Sequence, residues 1–422
     1  MDPAMGRRIE SGRTGDRETK PSPSLSEKAR QMVSFFSELA ARNEDQGRLT
    51  DETLAGLREG GFFSLWIPTC FGGAEAWPLE ALKVIETLSY ADGSTGWVLM
   101  ASQVAMGSAA AFLPPATAKA IFSERLPVIA GHGMARGRAE IDGKGFRLTG
   151  NWQYASGLLH SEYIHTGGIV YENGAPRTIP GSKSPDARIF ILPVSEAKLL
   201  GNWDVIGLRA TGSVDYSLTD VFVPEDFTHS MAAKVPNHGG NLYTLGIPNM
   251  GTICHTAFAL GIGRRMLDEI ASLARAESGR PTSLPQIGGG ESFQEQFGVA
   301  EAKYRSVHAL AYDTWGDIEE TLRRGDTVTT RQVTLLRLAL NYLTSATAEV
   351  CTFAYKYAGG RGLRAGTIQR CFRDMYAATQ HILVGPGLLR ECGKELLGVE
   401  PGKVWGFAGL VDPEPGPASS SA

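Results

Sequence analysis

The chain has 422 residues, 42% of them hydrophobic and 20% charged, and a formal net charge of −4, enough apolar material for a large core and two or three domains. The slightly acidic balance, without a long basic run, excludes a nucleic-acid or membrane-surface partner. No stretch approaches the roughly 18 apolar residues of a spanning helix, and the N-terminus lacks the apolar core of a secretory signal. Cys70, Cys254, Cys351, Cys371 and Cys392 form no CxxC pair, which argues against a zinc or disulfide framework and for a reduced, cytoplasmic setting.

Residues 1–24 are polar and rich in Gly, Ser and Pro, so they cannot offset the entropy of ordering and are expected to be disordered. Residues 25–125 read as a helical domain. Leu25, Ala29, Met32, Val33, Phe36, Leu39 and Ala40 recur at three- and four-residue spacing, which makes one apolar helical face. Thr50 or Asp51 caps a short second helix that ends at Gly60-Gly61. Two more helices follow at 79–90 and 95–112, the latter apolar nearly all round and therefore buried.

Residues 126–235 change texture. Beta-branched and aromatic residues alternate with polar ones, with Gly or Pro every eight to twelve positions. Asp142-Gly143-Lys144-Gly145 predicts a hairpin turn, and 162–170, 187–194 and 213–223 read as strands of an antiparallel sheet or small barrel. In 236–400 the helical period returns, with predicted helices at 247–277, 291–323, 329–358 and 367–396. Short connections suggest an antiparallel four-helix bundle. Residues 401–422 read as a tail. Segregated runs of helix, strand and helix give an α+β class rather than alternating βαβ units. No GxGxxG or Walker A sequence follows a strand, so a Rossmann or P-loop site is disfavoured.

Four segments carry a family resemblance. Gly150-Asn151-Trp152-Gln153-Tyr154-Ala155-Ser156-Gly157 resembles a glycine–tryptophan–serine–glycine strand that lies along a flavin ring in the acyl-CoA dehydrogenase family. Gly207-Leu208-Arg209-Ala210-Thr211-Gly212-Ser213, followed by Asp220-Val221-Phe222-Val223-Pro224, resembles that family's GLRxTGS…DVFVP segment. Arg275-Ala276-Glu277-Ser278-Gly279-Arg280-Pro281 resembles the stretch before its second bundle helix. Gly359-Gly360-Arg361-Gly362 and Arg373-Asp374 resemble its GGxG and RD elements. The resemblance runs from about Leu25 to Gly398 and implies the same helix–sheet–bundle layout.

It also implies a cofactor site. Trp152 and Tyr154 would give flat faces for an isoalloxazine. Ser156, Thr211 or Ser213 would bond a ring nitrogen or oxygen, and Arg275 a phosphate. Flavin is bound across a subunit interface in this family, usually in a homotetramer, so Arg275 and the loop with Gly359 and Gly360 would serve a neighbour's cofactor. Arg373 joins the implied cofactor set.

Within the family a dehydrogenase needs a carboxylate base shortly after the RD element. Here Arg373-Asp374-Met375-Tyr376-Ala377-Ala378-Thr379-Gln380-His381 contains none, and Glu391 comes too late to substitute directly. His381 in this pattern resembles the two-component flavin monooxygenases that hydroxylate phenols, polyketides, indoles or thiophenes, and the nitrososynthases that oxidise amino sugars. The resemblance places His381 in a substrate pocket, where an imidazole can take a proton near neutrality, with Ser156 steadying the flavin. Reduced FMN or FAD, FMN slightly favoured, would arrive from a separate NAD(P)H-flavin reductase, with O2 as co-substrate. Some relatives carry a further histidine in the helix at 95–112, where this chain has Gln103 and no histidine. Two other readings stay open at this point: an acyl-CoA dehydrogenase or oxidase with a displaced base, and a scaffold that has lost its flavin. The loop at 236–251 is expected to set the choice of small-molecule substrate. His132, His160, His165 and His255 cannot be separated from structural histidines, whereas His229, His238 and His308 read as loop or surface residues.

Overall fold

The computed structural model describes residues 23–179, 182, 184–277 and 287–413. Residues 1–22 and 414–422 of the expected tails, and Ser278–Pro281 of the third motif, lie outside the described residues.

The N-terminal helices are α1 (Leu25–Gln31), α2 (Val33–Gln46), α3 (Asp51–Glu59), α4 (Pro78–Ala91), α5 (Gly93–Phe112) and α6 (Pro115–Phe122). A capping box between Ser24 and Glu27 starts α1, and Thr50 caps α3 through the Thr53 N–H. The single first helix expected from periodicity is divided at Met32. Nearly all of α5 is buried, as its all-round apolar sequence requires. Asp92 caps it by accepting from the Thr95 N–H and hydroxyl. The N-terminal helices and the C-terminal bundle share one apolar core, which includes Trp66, Phe258 and Trp315.

The sheet contains β1 (Ile129–Asp142), β2 (Gly145–Trp152), β3 (Tyr163–Glu172), β4 (Ala175–Pro176), β5 (Ala187–Pro193), β6 (Lys198–Leu199), β7 (Tyr216–Pro224) and β8 (Thr228–Ser230). Its order is β6-β7-β2-β1-β3-β5-β8, with β4 on β3. The expected hairpin joins β1 to β2. The expected purely antiparallel sheet is corrected, because β1 pairs with β3 in parallel. The chain leaves β2, makes a short 3-10 turn at Leu158–His160 and re-enters beside β1 in the same direction. Alternation of side chains reports strands but not their direction. The β1–β3 register slips between His132 and Gly137, an irregularity of the kind that re-aims side chains.

The bundle comprises α7 (Gly246–Glu277), α8 (Glu291–Arg323), α9 (Thr330–Ala358), α10 (Thr367–Ala378) and α11 (Pro386–Leu397). The first three follow the sequence reading closely, but the fourth predicted helix is two. Pro386 opens α11, and a residue preceding proline disfavours helical backbone. Residues 379–385 therefore form a break, and His381 lies in it rather than on a helix. Part of the expected C-terminal tail also folds. Trp405 donates its indole N–H to Thr334 Oγ1 at 2.7 Å, and the Arg337 guanidinium lies 4.5 Å over its ring, which holds a two-stranded hairpin against α9.

Candidate active site

The site is built where the N-terminal helices, the sheet and the bundle meet. Trp97 on α5 is its hub. Its indole N–H donates to Ser156 Oγ at 3.0 Å, its ring stands edge-on to His255 of α7 at 5.0 Å, and His381 lies 6.0 Å away. The His255 and His381 rings lie 3.8 Å apart at 32°. The break after α10 presents His381: its backbone N–H donates to the Ala378 carbonyl at 3.2 Å, and its carbonyl accepts from Val384 at 2.8 Å. Asn341 on α9 pins the same break by accepting from the Gly385 N–H at 2.7 Å.

The electrostatics favour neutral imidazoles. Burial, with His132 nearby, lowers His381 to about 4. Burial also holds His255 well below the ordinary histidine range, with His381 beside it adding to the effect. His132, on the irregular part of β1, is lowered chiefly by burial and hydrogen-bonds the Gln153 carbonyl. A buried imidazole with no opposing carboxylate resists protonation, so both rings are neutral near pH 7.

Three of the hydroxyls proposed from sequence come together. Ser156 Oγ lies 2.7 Å from Ser213 Oγ, and Ser213 Oγ lies 2.6 Å from Thr211 Oγ1. Thr211 in turn donates to the Leu208 carbonyl at 2.7 Å. The two loops that carry them hold residues in left-handed backbone, Tyr154 at φ 62° and Leu208 at φ 55°, a cost that persists where the surroundings enforce it and that gathers at functional sites. Tyr154 is 61% exposed, and its ring stands 6.3 Å from that of Trp203.

Trp152 corrects its expected role. It is fully buried, stacks on Tyr216 at 5.2 Å and donates to the Gly167 carbonyl, so the ring belongs to the sheet core and presents no face to a cofactor. Arg373 is also engaged elsewhere. It binds the Ile206 carbonyl at 2.7 Å, Glu44 of α2 and Gln369, and thereby locks the Gly207 loop to α10. Arg275 is exposed in the last turn of α7. Twenty residues of helix separate it from His255, about 30 Å at helical rise, so it does not meet its own chain's Trp97 centre. Gly359 and Gly360 open the turn after α9 with free space around both. Gln103 clamps the backbone of Phe63 and Trp66. Glu391 pairs with Lys394 on its own helix.

Sequence reasoning missed Trp97 and left His255 and His132 undistinguished. His165 meets Ser108 at 3.1 Å and His160 accepts from the Leu49 N–H, both structural roles. His229, expected at the surface, is buried and bonds the Ser230 carbonyl.

The residues fit a flavin. A hydroxyl cluster, an exposed phenol and a group of neutral imidazoles packed on an indole match a ligand with a polar edge and a flat apolar body. Comparison with known proteins agrees. The acyl-CoA dehydrogenase N-terminal domain matches residues 24–118 and the C-terminal domain residues 253–386. Indole-3-acetate monooxygenase of Pseudomonas putida is 30% identical over 360 residues, 84% of this chain and 89% of that protein. The oxygenase component of FADH2-dependent resorcinol hydroxylase from Rhizobium sp. is 26% identical over 405 residues, 91% and 96% of the two chains. The crystal structure of 3-HSA hydroxylase from Rhodococcus sp. shares the fold, with a TM-score of 0.82 at 21% identity over 89% and 97% of the two chains.

Fold and site together define a flavoprotein of the acyl-CoA dehydrogenase type. Within that class, the chain belongs to the flavin-dependent monooxygenases, oxygenase components of two-component systems that use reduced flavin and O2 and depend on a separate flavin reductase. That membership sets aside both the displaced-base dehydrogenase and the scaffold reading. Among the described residues, no helix is long and apolar enough to cross a membrane.

Proposed function

We propose that this oxygenase hydroxylates a small aromatic substrate, a phenol or an indole, held against the His255–His381 pair. The observation that carries the reading is that pair, neutral and 3.8 Å apart, His255 buried and His381 half-buried, set edge-on to a tryptophan that also holds Ser156. Relatives named for indole-3-acetate and resorcinol support the aromatic class.

Reduced flavin, FMN or FAD, would supply the two electrons with which O2 gives one oxygen atom to the substrate and the other to water. The protein supplies the rest. His381 hydrogen-bonds the polar group of the substrate and so orients the ring that is to be attacked. His255 and Trp97 hold the His381 ring in place and fill the space around it, so little water reaches the reacting atoms. Ser156 fixes the flavin edge relative to that ring. Tyr154, Ser156, Thr211 and Ser213 form the ring-binding set on one chain. Arg275, Gly359 and Gly360 are assigned to the cofactor of a neighbouring subunit in a homotetramer. Exposed apolar side chains on α9 and α11, Tyr342, Leu389 and Leu397, support that assembly. We place the enzyme in the cytoplasm, a setting that suits its five free cysteines.

The test is to load the protein anaerobically with reduced FMN or reduced FAD, mix with O2 and a panel of phenols and indoles, and measure product and hydrogen peroxide. His381→Ala is expected to bind flavin normally, form less product and release more peroxide. Unchanged product yield in that variant would remove His381 from the mechanism.

A further inference from the structure

Helix α5 is buried everywhere except at Ala101 and Val104. Those two stand on one helical stripe with Trp97, Ser108 and Phe112, at three- and four-residue spacing. The stripe begins at the centre described above, where Trp97 holds Ser156 and stands edge-on to His255. About 16 Å further along by helical rise, Ser108 meets His165, and the Phe112 ring beyond it lies 5.5 Å from that of His229. Opposite, β1 is partly open from Gly131 to Ala135, and Gly133 lies against the His165 ring. The open stretch of α5 and β1 thus leads from the His255–His381 pair to a second pair of imidazoles, His165 and His229, with rings 6.4 Å apart.

The sheet aims this second pair at α5. His165 pairs with Ile191 of β5, and Ile189 of β5 pairs with His229 of β8. Partners across a ladder share a face, as do residues two apart on a strand. All four side chains therefore stand on one face, the one whose isoleucines join the core with α5.

His229 is 4% exposed, and its Nε2 has no hydrogen-bond partner among the described residues. Its other nitrogen decides what Nε2 can do. Nδ1 stands 2.9 Å from the Ser230 carbonyl oxygen. That oxygen can only accept, so Nδ1 carries the proton; the other tautomer would set a lone pair against it. Burial, with the Arg188 guanidinium adding to it, lowers His229 to about 4, so the ring is neutral near pH 7 and Nε2 is a bare acceptor. Arg188 itself is tied to Thr228 and Glu225 and stacked over Phe146. The far end of the open stretch therefore suits an O–H or N–H donor and repels a carboxylate, which brings only lone pairs.

We propose that His229 Nε2 accepts the hydrogen of a hydroxyl or N–H group at the distal end of a substrate of two linked or fused aromatic rings, whose other end lies at the His255–His381 pair. The proposal rests on the aromatic hydroxylation proposed above and adds the far end of the substrate to it. His229 is then a specificity residue: it touches the substrate far from the reacting atoms and selects long donors over short or anionic ones.

The test measures, by equilibrium dialysis under anaerobic conditions, the Kd of three ligands for protein saturated with reduced FMN and, separately, with reduced FAD. The ligands are para-phenylphenol, para,para-biphenol and para-hydroxybiphenyl-para-carboxylate. Wild type is expected to bind the biphenol roughly tenfold more tightly than phenylphenol, the worth of about one hydrogen bond to an otherwise unpartnered atom, and to bind the carboxylate more weakly than either. His229→Phe keeps a ring and removes the acceptor, so the ratio of the two phenols should fall to about two, the statistical share of a symmetric ligand. His229→Gln returns an acceptor near the place of Nε2 and should restore most of the ratio. His229→Leu carries the test if His229→Phe does not fold. A wild-type ratio of about two or less would overturn the proposal and leave Nε2 to water. Tighter binding of the carboxylate, which needs a charged ring, would overturn it too, as would binding of none of the three, or a His229→Phe protein that weakens all three alike, the mark of a purely structural role. Admitting O2 then tests the reading beneath: product without a binding preference sinks the far-end subsite alone, whereas a preference with no product from either phenol sinks the hydroxylation.

Discussion

A substitution at Asp374 separates two opposing proton linkages. Asp374 accepts from the Leu208 N–H at 2.6 Å, and burial raises its carboxyl to about 7. A raised carboxyl adds stability that is complete at low pH and is lost as pH climbs toward 7. Burial lowers His160, His229 and His381 to about 4 and His165 to about 3. These four add stability that is complete above about 6.5 and is lost as pH falls toward 4. The histidines outnumber the aspartate, so the urea midpoint is expected to rise from pH 4.5 to 6.5. Asp374→Asn keeps an acceptor for Leu208 but removes the opposing term. Relative to wild type it should gain stability between about pH 4 and 7 and level off above that, and a difference that does not vary with pH would sink the argument. Residues of this kind were only partly legible in the sequence. His381, Ser156, Thr211 and Ser213 stand inside motifs and could be read. Trp97 and His255 could not, because 59 and 126 positions separate Trp97 from Ser156 and His255 from His381, and only tertiary packing brings them together. Trp152 and Tyr154 sit two apart and should share a strand face, but the positive φ at Tyr154 ends the alternation and sends one inward and one outward.

Among the elements, the break between α10 and α11 matters most to the chemistry, because it presents His381. Helical period runs through both flanking segments, which is why the sequence reads as one helix over 367–396. Gly385-Pro386 was the available signal, outweighed there by the continuous apolar pattern. The buried Asn341 side chain holds the break from α9. It accepts from the Gly385 N–H, and its amide donates to the carbonyls of Arg337 at 2.9 Å and Leu383 at 3.3 Å. Asn341→Ala leaves the Gly385 N–H without its partner, a change expected to cost about 1–3 kcal/mol in denaturant unfolding. If the pin also sets His381, the same variant should release more peroxide per flavin oxidised while its affinity for reduced flavin stays near that of wild type. Loss of stability with coupling intact would separate the pin from the chemistry. The parallel β1–β3 pair was illegible for a different reason: alternation fixes which face a side chain takes, not which way the neighbouring strand runs.

At the scale of the molecule, the site draws on all three regions of the chain, and Arg275 and His381 should belong to different subunits of one site. Helix α7 carries His255 near one end and Arg275 at the other, about 30 Å apart by helical rise, while exposed apolar side chains on α9 and α11 leave a surface for a second copy. Arg275→Ala should therefore weaken flavin binding, and His381→Ala should lower product yield, each across the whole assembly. Co-expression of the two variants with different tags, followed by isolation of the mixed species, tests the assignment. A site that takes His381 from the Arg275→Ala chain and Arg275 from the His381→Ala chain is intact, and random mixing would make about a quarter of the sites so. Recovered hydroxylation in the mixed assembly, absent when the purified variants are combined without subunit exchange, would establish sharing between subunits. If the mixed assembly is no more active than its parents while the controls assemble normally, both residues act within one chain or Arg275 takes no part, and the neighbour's-cofactor assignment fails.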